Sequence, residues 1–193
     1  SRITTSEKGG TYELGASYDA SSVFESEDSL RFKLTGFKTH IWDGTTYSGI
    51  SEVDLEGFEI EASYVHPGFY ADLNASRIRG TINGTSTPFK HVPADSVQLT
   101  LGKRFMDDQL NLAVEAKHAF AQTRTTSTSG GTAPSEAYTL VNLTAAYTPD
   151  SGALRDIEFR ASVENVTDET YRAYLSTRNG AGRSFKFSVA KTF

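Results

Sequence analysis

The stretch Ser184-Phe185-Lys186-Phe187-Ser188-Val189-Ala190-Lys191-Thr192-Phe193 decides how this chain is read. Phe185, Phe187, Val189 and finally Phe193 fall on one parity, with Lys186, Ser188, Ala190 and Thr192 on the other. A period of two belongs to a β-strand, whose successive side chains point to opposite faces; a helix would return its apolar residues at three and four. Length matters as much as period. A tilted strand needs about ten residues to cross the hydrocarbon of a membrane, whereas strands of soluble sheets are commonest at about five or six. Phe185, Phe187, Val189 and the aromatic Phe193 together have the form of a barrel-assembly signal.

Working outward, eight further segments carry the same period and are expected as strands at residues 11–18, 29–41, 52–65, 69–78, 96–105, 110–120, 138–147 and 156–165. Their apolar parities include Tyr12, Leu14, Ala16 and Tyr18 in the first and Phe58, Ile60, Ala62 and Tyr64 in the third. The opposite parities carry Glu59, Glu61, Glu115, Lys117, Glu158 and Arg160, expected to form ion pairs rather than an acid–base pair. Parity changes at Gly36, where Phe37 takes over, and again at Gly57, so a glycine bulge is expected at each. From the third connection onward, short links at Pro67-Gly68 and 106–109 alternate with long polar ones at 79–95, 122–137 and 168–183. Short turns on one side and long loops on the other are the habit of outer-membrane barrels. The fold class expected is therefore all-β, an antiparallel transmembrane β-barrel segment of about nine strands.

Composition closes other routes. Hydrophobic residues make up 37% and aromatic residues 11%, too much for a disordered chain. Nineteen Lys and Arg stand against 24 Asp and Glu with no basic run, so nucleic acid is not expected as a partner. The absence of Cys excludes disulfide scaffolds, thiol nucleophiles and zinc ribbons, and the four His lack metal-ligand spacing. No G-x-S-x-G elbow marks an enzyme. A soluble β-sandwich binding module is the alternative from a different class; it explains the alternation but neither the uniform strand length nor Phe193. The start Ser1-Arg2-Ile3, without Met or signal peptide, is read as that of a piece of a longer precursor.

The run Ser162-Val163-Glu164-Asn165-Val166-Thr167-Asp168-Glu169-Thr170-Tyr171, followed by Gly182-Arg183 and a last strand closing on Phe193, resembles the ending of TonB-dependent outer-membrane receptors. Thr11-Tyr12-Glu13-Leu14-Gly15 and Gly57-Phe58-Glu59 resemble two further strands of that family. Arg79-Gly80, leading through a polar loop to Pro93-Ala94-Asp95, is similar to the haem and haemoglobin receptor branch.

The resemblance implies a barrel of about 22 strands around a plug. Residues 1–193 would be the C-terminal portion of that barrel, with the plug domain and N-terminal strands outside this chain. It implies the outer membrane of a Gram-negative bacterium, and TonB-coupled uptake of an iron-containing ligand, haem free or from a haem-carrying protein, with a ferric siderophore as the alternative cargo. Implied partners are outer-membrane lipid, the remainder of the same receptor and the TonB complex through the missing N-terminal part; no intrinsic cofactor is implied, haem being the transported ligand. Candidate ligand contacts in the outer loops are Trp42, Tyr47, His91, Tyr171 and Tyr174, with His40 and His118 as possible haem-facing residues. Trp42 and Tyr47 have a second reading as an interfacial aromatic girdle, and His66, beside Pro67, is expected to be structural.

Overall fold

The computed structural model describes residues 6–43, 52–82, 85–125 and 133–191, which form one nine-stranded antiparallel sheet in chain order. The strands are β1 (Lys8–Ser21), β2 (Ser29–Trp42), β3 (Val53–His66), β4 (Phe69–Ile82), β5 (Ser96–Phe105), β6 (Leu110–Ala119), β7 (Tyr138–Tyr147), β8 (Ile157–Glu164) and β9 (Ser184–Lys191), with a 3-10 turn at Gly152–Leu154. Tyr47 and Phe193, both singled out in the sequence, lie outside the described residues. β1 and β9 end the sheet, each with one side unpaired, and their apolar side chains are among the most exposed, Leu14 at 83% and Phe185 at 76%. Unpaired edges in hydrocarbon are costly, so this is part of a barrel rather than a finished one.

Register explains why the alternation holds across all nine strands. One row of cross-strand partners runs Ala20, Leu30, Tyr64, Ala71, Leu101, Val114, Leu143, Val163, Phe185. The adjacent row runs Asp19, Arg31, Ser63, Asp72, Thr100, Glu115, Asn142. The first row is apolar apart from one phenol and the second is wholly polar, and a slip of one residue anywhere would exchange them. The apolar row begins beside the last residue of β1 and finishes beside the first residue of β9, the stagger that tilted barrel strands require.

The glycine bulges do not occur. Every partner from Lys8↔Trp42 to Ser21↔Ser29, and from Ser29↔Val65 to Ile41↔Val53, follows without interruption. The parity change has another cause, an inversion of polarity along continuous strands. Below the level of Gly36, the face with Leu30, Phe32 and Leu34 is apolar; above it the same face carries Lys38, His40, Glu56, Arg77 and Arg79, while Phe37, Leu55 and Ile78 occupy the other. Phe37 lies opposite Gly57, where a Cβ would come within 2.7 Å of its ring. Strands β1 to β4 have 14 residues each, about 46 Å of chain, more than a tilted strand spends in hydrocarbon. The inversion marks where they leave it.

Two expected boundaries also move. β1 runs Lys8–Ser21 rather than 11–18, because Gly9 and Gly10 pair with Ile41 and His40. β4 does not stop at Ile78: Arg79, Gly80, Thr81 and Ile82 continue the ladder with β3 to Val53. Beyond the Ser76↔Ser96 pair this extension has no β5 partner, and the following loop covers its edge, with the Ile82 N–H donating to Thr87 O and the Phe89 N–H to Gly80 O.

Consecutive antiparallel strands put the connections 22–28, 67–68, 106–109 and 148–156 at one end and 43–52, 83–95, 120–137 and 165–183 at the other. At the short-turn end Asp28, 1% exposed, accepts the N–H groups of Val23, Phe24 and Glu25 and the Tyr64 hydroxyl. His66 accepts the Gly68 N–H at Nδ1, faces Glu25 at 3.0 Å through Nε2 and stacks on Phe69, so it is a turn residue as expected.

Candidate functional site

At the long-loop end the loop 85–95 is built onto the sheet. The Arg79 guanidinium grips the Asp95 carboxylate with both nitrogens, at 2.5 and 2.6 Å. Those bonds hold the Asp95 carboxyl below the usual carboxylate range; burial works against them, and the charges of Arg79, Arg77 and Arg124 add to them. Gly80 lies under Phe89 and Val92, and a Cβ on it would fall 2.6 Å from Val92 and 2.9 Å from Leu55. Buried Gln122, entering from the next loop, donates to the carbonyls of Val92 and Pro93, accepts the Arg124 N–H and bridges to Ser135. Neither Gln122 nor the Arg79–Asp95 fork was singled out from the sequence, although Arg79 and Asp95 both lay in the stretch similar to the haem-receptor branch.

The last loop, 165–183, folds around Asn165, which is 4% exposed and in the left-handed conformation with φ 50°. Its side-chain oxygen accepts the Glu169 N–H, and its Nδ2 donates to the carbonyls of Glu169 and Ala181. Its own N–H donates to Asn142, which donates to Glu115, which in turn accepts from Gln98. Asp168 accepts the Arg183 N–H at 2.8 Å. The residues of the sequence motif thus hold one another: Asn165 and Asp168 clamp the two ends of the loop, and this relay of three amides and the Glu115 carboxylate ties it to the polar wall of the sheet.

The candidate ligand residues separate accordingly. Tyr171 is used structurally, its ring occupying the space a Cβ on Gly180 would need and packing 4.6 Å from Tyr138. Tyr174 donates to the Lys90 carbonyl at 2.7 Å, joining loop 165–183 to loop 85–95. His91 is exposed, 5.3 Å from the Phe89 ring. His40, Trp42 and His118 share a face with the apolar parity, away from the polar wall. His40 stacks on Trp42 and meets Asp54 at 2.8 Å; His118 bonds Thr139 and packs edge-on to Phe120. His91 and the Tyr174–Lys90 contact thus belong to two loops at the long-loop end, while His40, Trp42 and His118 stand near that same end on the apolar parity.

The same architecture recurs elsewhere. A family model described as TonB dependent receptor-like, beta-barrel, matches residues 5–166. The chain is 22% identical to a protein of Haemophilus influenzae named heme/hemopexin utilization protein C, over 94% of this chain and 28% of that one. It is 25% identical to TonB-dependent heme receptor A of Haemophilus ducreyi, over 76% of this chain and 22% of that one. In three dimensions it superposes on the copper transporter OprC with TM-score 0.77 at 17% identity, covering 95% of this chain and 31% of the transporter. The chain spans less than a third of the length of each of these proteins.

Proposed function

The chain belongs to the TonB-dependent receptor β-barrel family of the Gram-negative outer membrane, and from that premise we propose that it supplies wall and outer loops to a receptor that takes up haem. Its curated relatives carry haem in their names, and that observation carries the choice of cargo. The fold does not make that choice, since a copper transporter shares it. Residues 1–193 are the C-terminal portion of the barrel, and the plug, the other strands and the site that engages TonB lie in the rest of the receptor. Transport runs by capture at the outer loops followed by TonB-powered movement of the plug.

Within this chain the capture surface is the mouth formed by loops 85–95 and 165–183. His91 presents an exposed imidazole there, and neutral imidazole is a common ligand for haem iron. Tyr171 and Tyr174 act by fixing the loops.

The test is the visible spectrum of the full-length receptor after incubation with haem and removal of the excess. A Soret band that weakens or shifts in His91→Ala supports both cargo and ligand. A Soret band unchanged in His91→Ala keeps haem and removes His91. Absence of the band, with retention of a ferric siderophore, transfers the receptor to the siderophore class.

A further inference from the structure

The β7–β8 ladder ends at the pair Leu143↔Val163, and the chain that leaves it is picked up by a side chain. The Asn165 N–H donates to Asn142 Oδ1 at 2.9 Å, and the next N–H, that of Val166, returns to the backbone at the Val141 carbonyl. Asn142 is therefore where loop 165–183 joins the wall. Its amide is oriented from the other side as well: Nδ2 donates at 2.8 Å to Oε1 of Glu115, its cross-strand neighbour, whose Oε2 accepts from Gln98 at 2.9 Å. A backbone N–H only donates and a carboxylate only accepts. Of the two orientations open to the Asn142 amide, only the one with nitrogen toward Glu115 and oxygen toward Asn165 satisfies both.

We propose that Glu115 is a positioning residue for cargo capture, acting through Asn142 on loop 165–183 and through Tyr174 on loop 85–95. It rests on the haem reading only for what the loops capture; the hold of Glu115 on the loop stands without it. Glu115 is committed to its two amides: among the described residues it forms no ion pair, although the same strand face carries Lys117. The receiving end is buried. Asn165 is 4% exposed, so an N–H there that loses Asn142 finds little water to replace it. The far end reaches the capture surface, since Tyr174 of the same loop donates to the carbonyl of Lys90, the residue before His91. Packing of a loop against a wall is indifferent to which atom of an amide faces it, whereas this relay is not. Gln at position 115 serves it as Glu does, because an amide offers its oxygen to Asn142 and its nitrogen to the oxygen of a turned-over Gln98. A residue without an acceptor leaves Asn142 aligned from one side only.

The test uses the full-length receptor, with the folding of each variant confirmed by gel mobility without heating. Exchange of the Asn165 and Glu169 amides, which donate to Asn142 and Asn165, reads the loop directly. Glu115→Ala raises it roughly tenfold, the order expected when a hydrogen bond to a charged group is lost. Glu115→Gln leaves it near the wild-type value. In the Asn142→Ala background Glu115→Ala adds nothing, since it acts through that amide. Unchanged exchange in Glu115→Ala overturns the proposal, as does an equal rise in Glu115→Gln or additivity with Asn142→Ala. Should Glu115→Ala fail to fold, Glu115→Asp, which keeps the charge and withdraws it by one methylene, decides by the same reading: faster exchange supports the relay and wild-type exchange overturns it. The capture arm is the rate at which bound haem is lost, followed by its Soret band: faster in Glu115→Ala and at the wild-type value in Glu115→Gln. An unchanged rate with a loosened loop overturns the part of Glu115 in capture. A wild type that binds no haem removes the haem reading, while the exchange measurement, made without haem, still decides whether Glu115 positions the loop.

Discussion

The Tyr174 hydroxyl donates a 2.7 Å hydrogen bond to the carbonyl oxygen of Lys90, a residue 84 positions earlier in the chain. No strand pairing joins these two loops, so the contact couples the fourth and eighth connections directly. Tyr174→Phe keeps the ring and removes the donor. The expected cost is about 0.5–1.5 kcal/mol. Amide exchange in loops 85–95 and 165–183 rises together in this variant while exchange in β6 stays at wild-type values; a rise in one loop alone shows that the bond does not couple them.

The row through Phe185 predicts unequal tolerance of charge on β9. Val189 pairs with Phe159 on the apolar parity and Ser188 with Arg160 on the polar one. Val189→Arg should cost about 2–4 kcal/mol near the bilayer midplane, and Ser188→Arg far less. Equal folding yields of the two variants in liposomes would contradict the membrane-facing assignment.

At the last loop, Gly180→Ala drives a methyl group into the Tyr171 ring and forces it from Tyr138. A loss of roughly 1–3 kcal/mol is expected, as for other overpacked sites. In the Tyr171→Ala background the same substitution should cost much less, because the obstructing ring is gone. Thermal melts of the four proteins check this, and strictly additive losses would remove the ring as the cause.

Asp28 sets a pH dependence at the opposite end. Burial alone would raise its carboxyl; the hydrogen bonds from Glu25, Phe24, Val23 and Tyr64 outweigh that and lower it. A folded-state value below the unfolded one, about 3.9, means that the contribution to stability is complete above that pH and is lost as pH falls through the lowered value. Exchange of the Val23, Phe24 and Glu25 amides should accelerate only in that acid window. In Asp28→Asn the same amides exchange faster at neutral pH and show no acid step; a wild-type rise centred near neutrality would assign the titration to another group.

Protease applied to intact cells should cut loop 165–183 at exposed Arg178 and spare the 106–109 turn. Arg79, in the loop by sequence, is protected by its place in β4 and its grip on Asp95. Cleavage confined to 106–109 would invert the orientation.

Nine strands were legible because alternation is a local property that the register preserves, and residues 96–105 and 138–147 match β5 and β7 end to end. Gly36 and Gly57 misled because a switch of environment along a continuous strand and a switch of backbone parity leave the same trace in a sequence. Arg79 and Gly80 looked like loop since neither favours a strand; their pairing with Glu56 and Leu55 decides otherwise. The clamp around Asn165 fell within a motif read from the sequence, but its physical role did not, because its partners are backbone groups and an amide on another strand. Gln122 was illegible for the same reason. That Tyr171, expected to contact ligand, also covers Gly180 was not legible, because an aromatic residue in a loop carries no mark of the glycine beneath it.

The uneven height of the sheet has a mechanical consequence. The β3–β4 ladder climbs to Val53 and Ile82 while β5 begins only at Ser96. One flank of the mouth is thus a continuous hydrogen-bonded parapet, and the other is loop held by side-chain clamps such as those of Asn165, Asp168 and Gln122. Segments with few backbone bonds open at far lower free energy than a continuous ladder. The β5 to β9 flank, with fewer backbone bonds at that height, is therefore the side expected to yield first when the mouth widens.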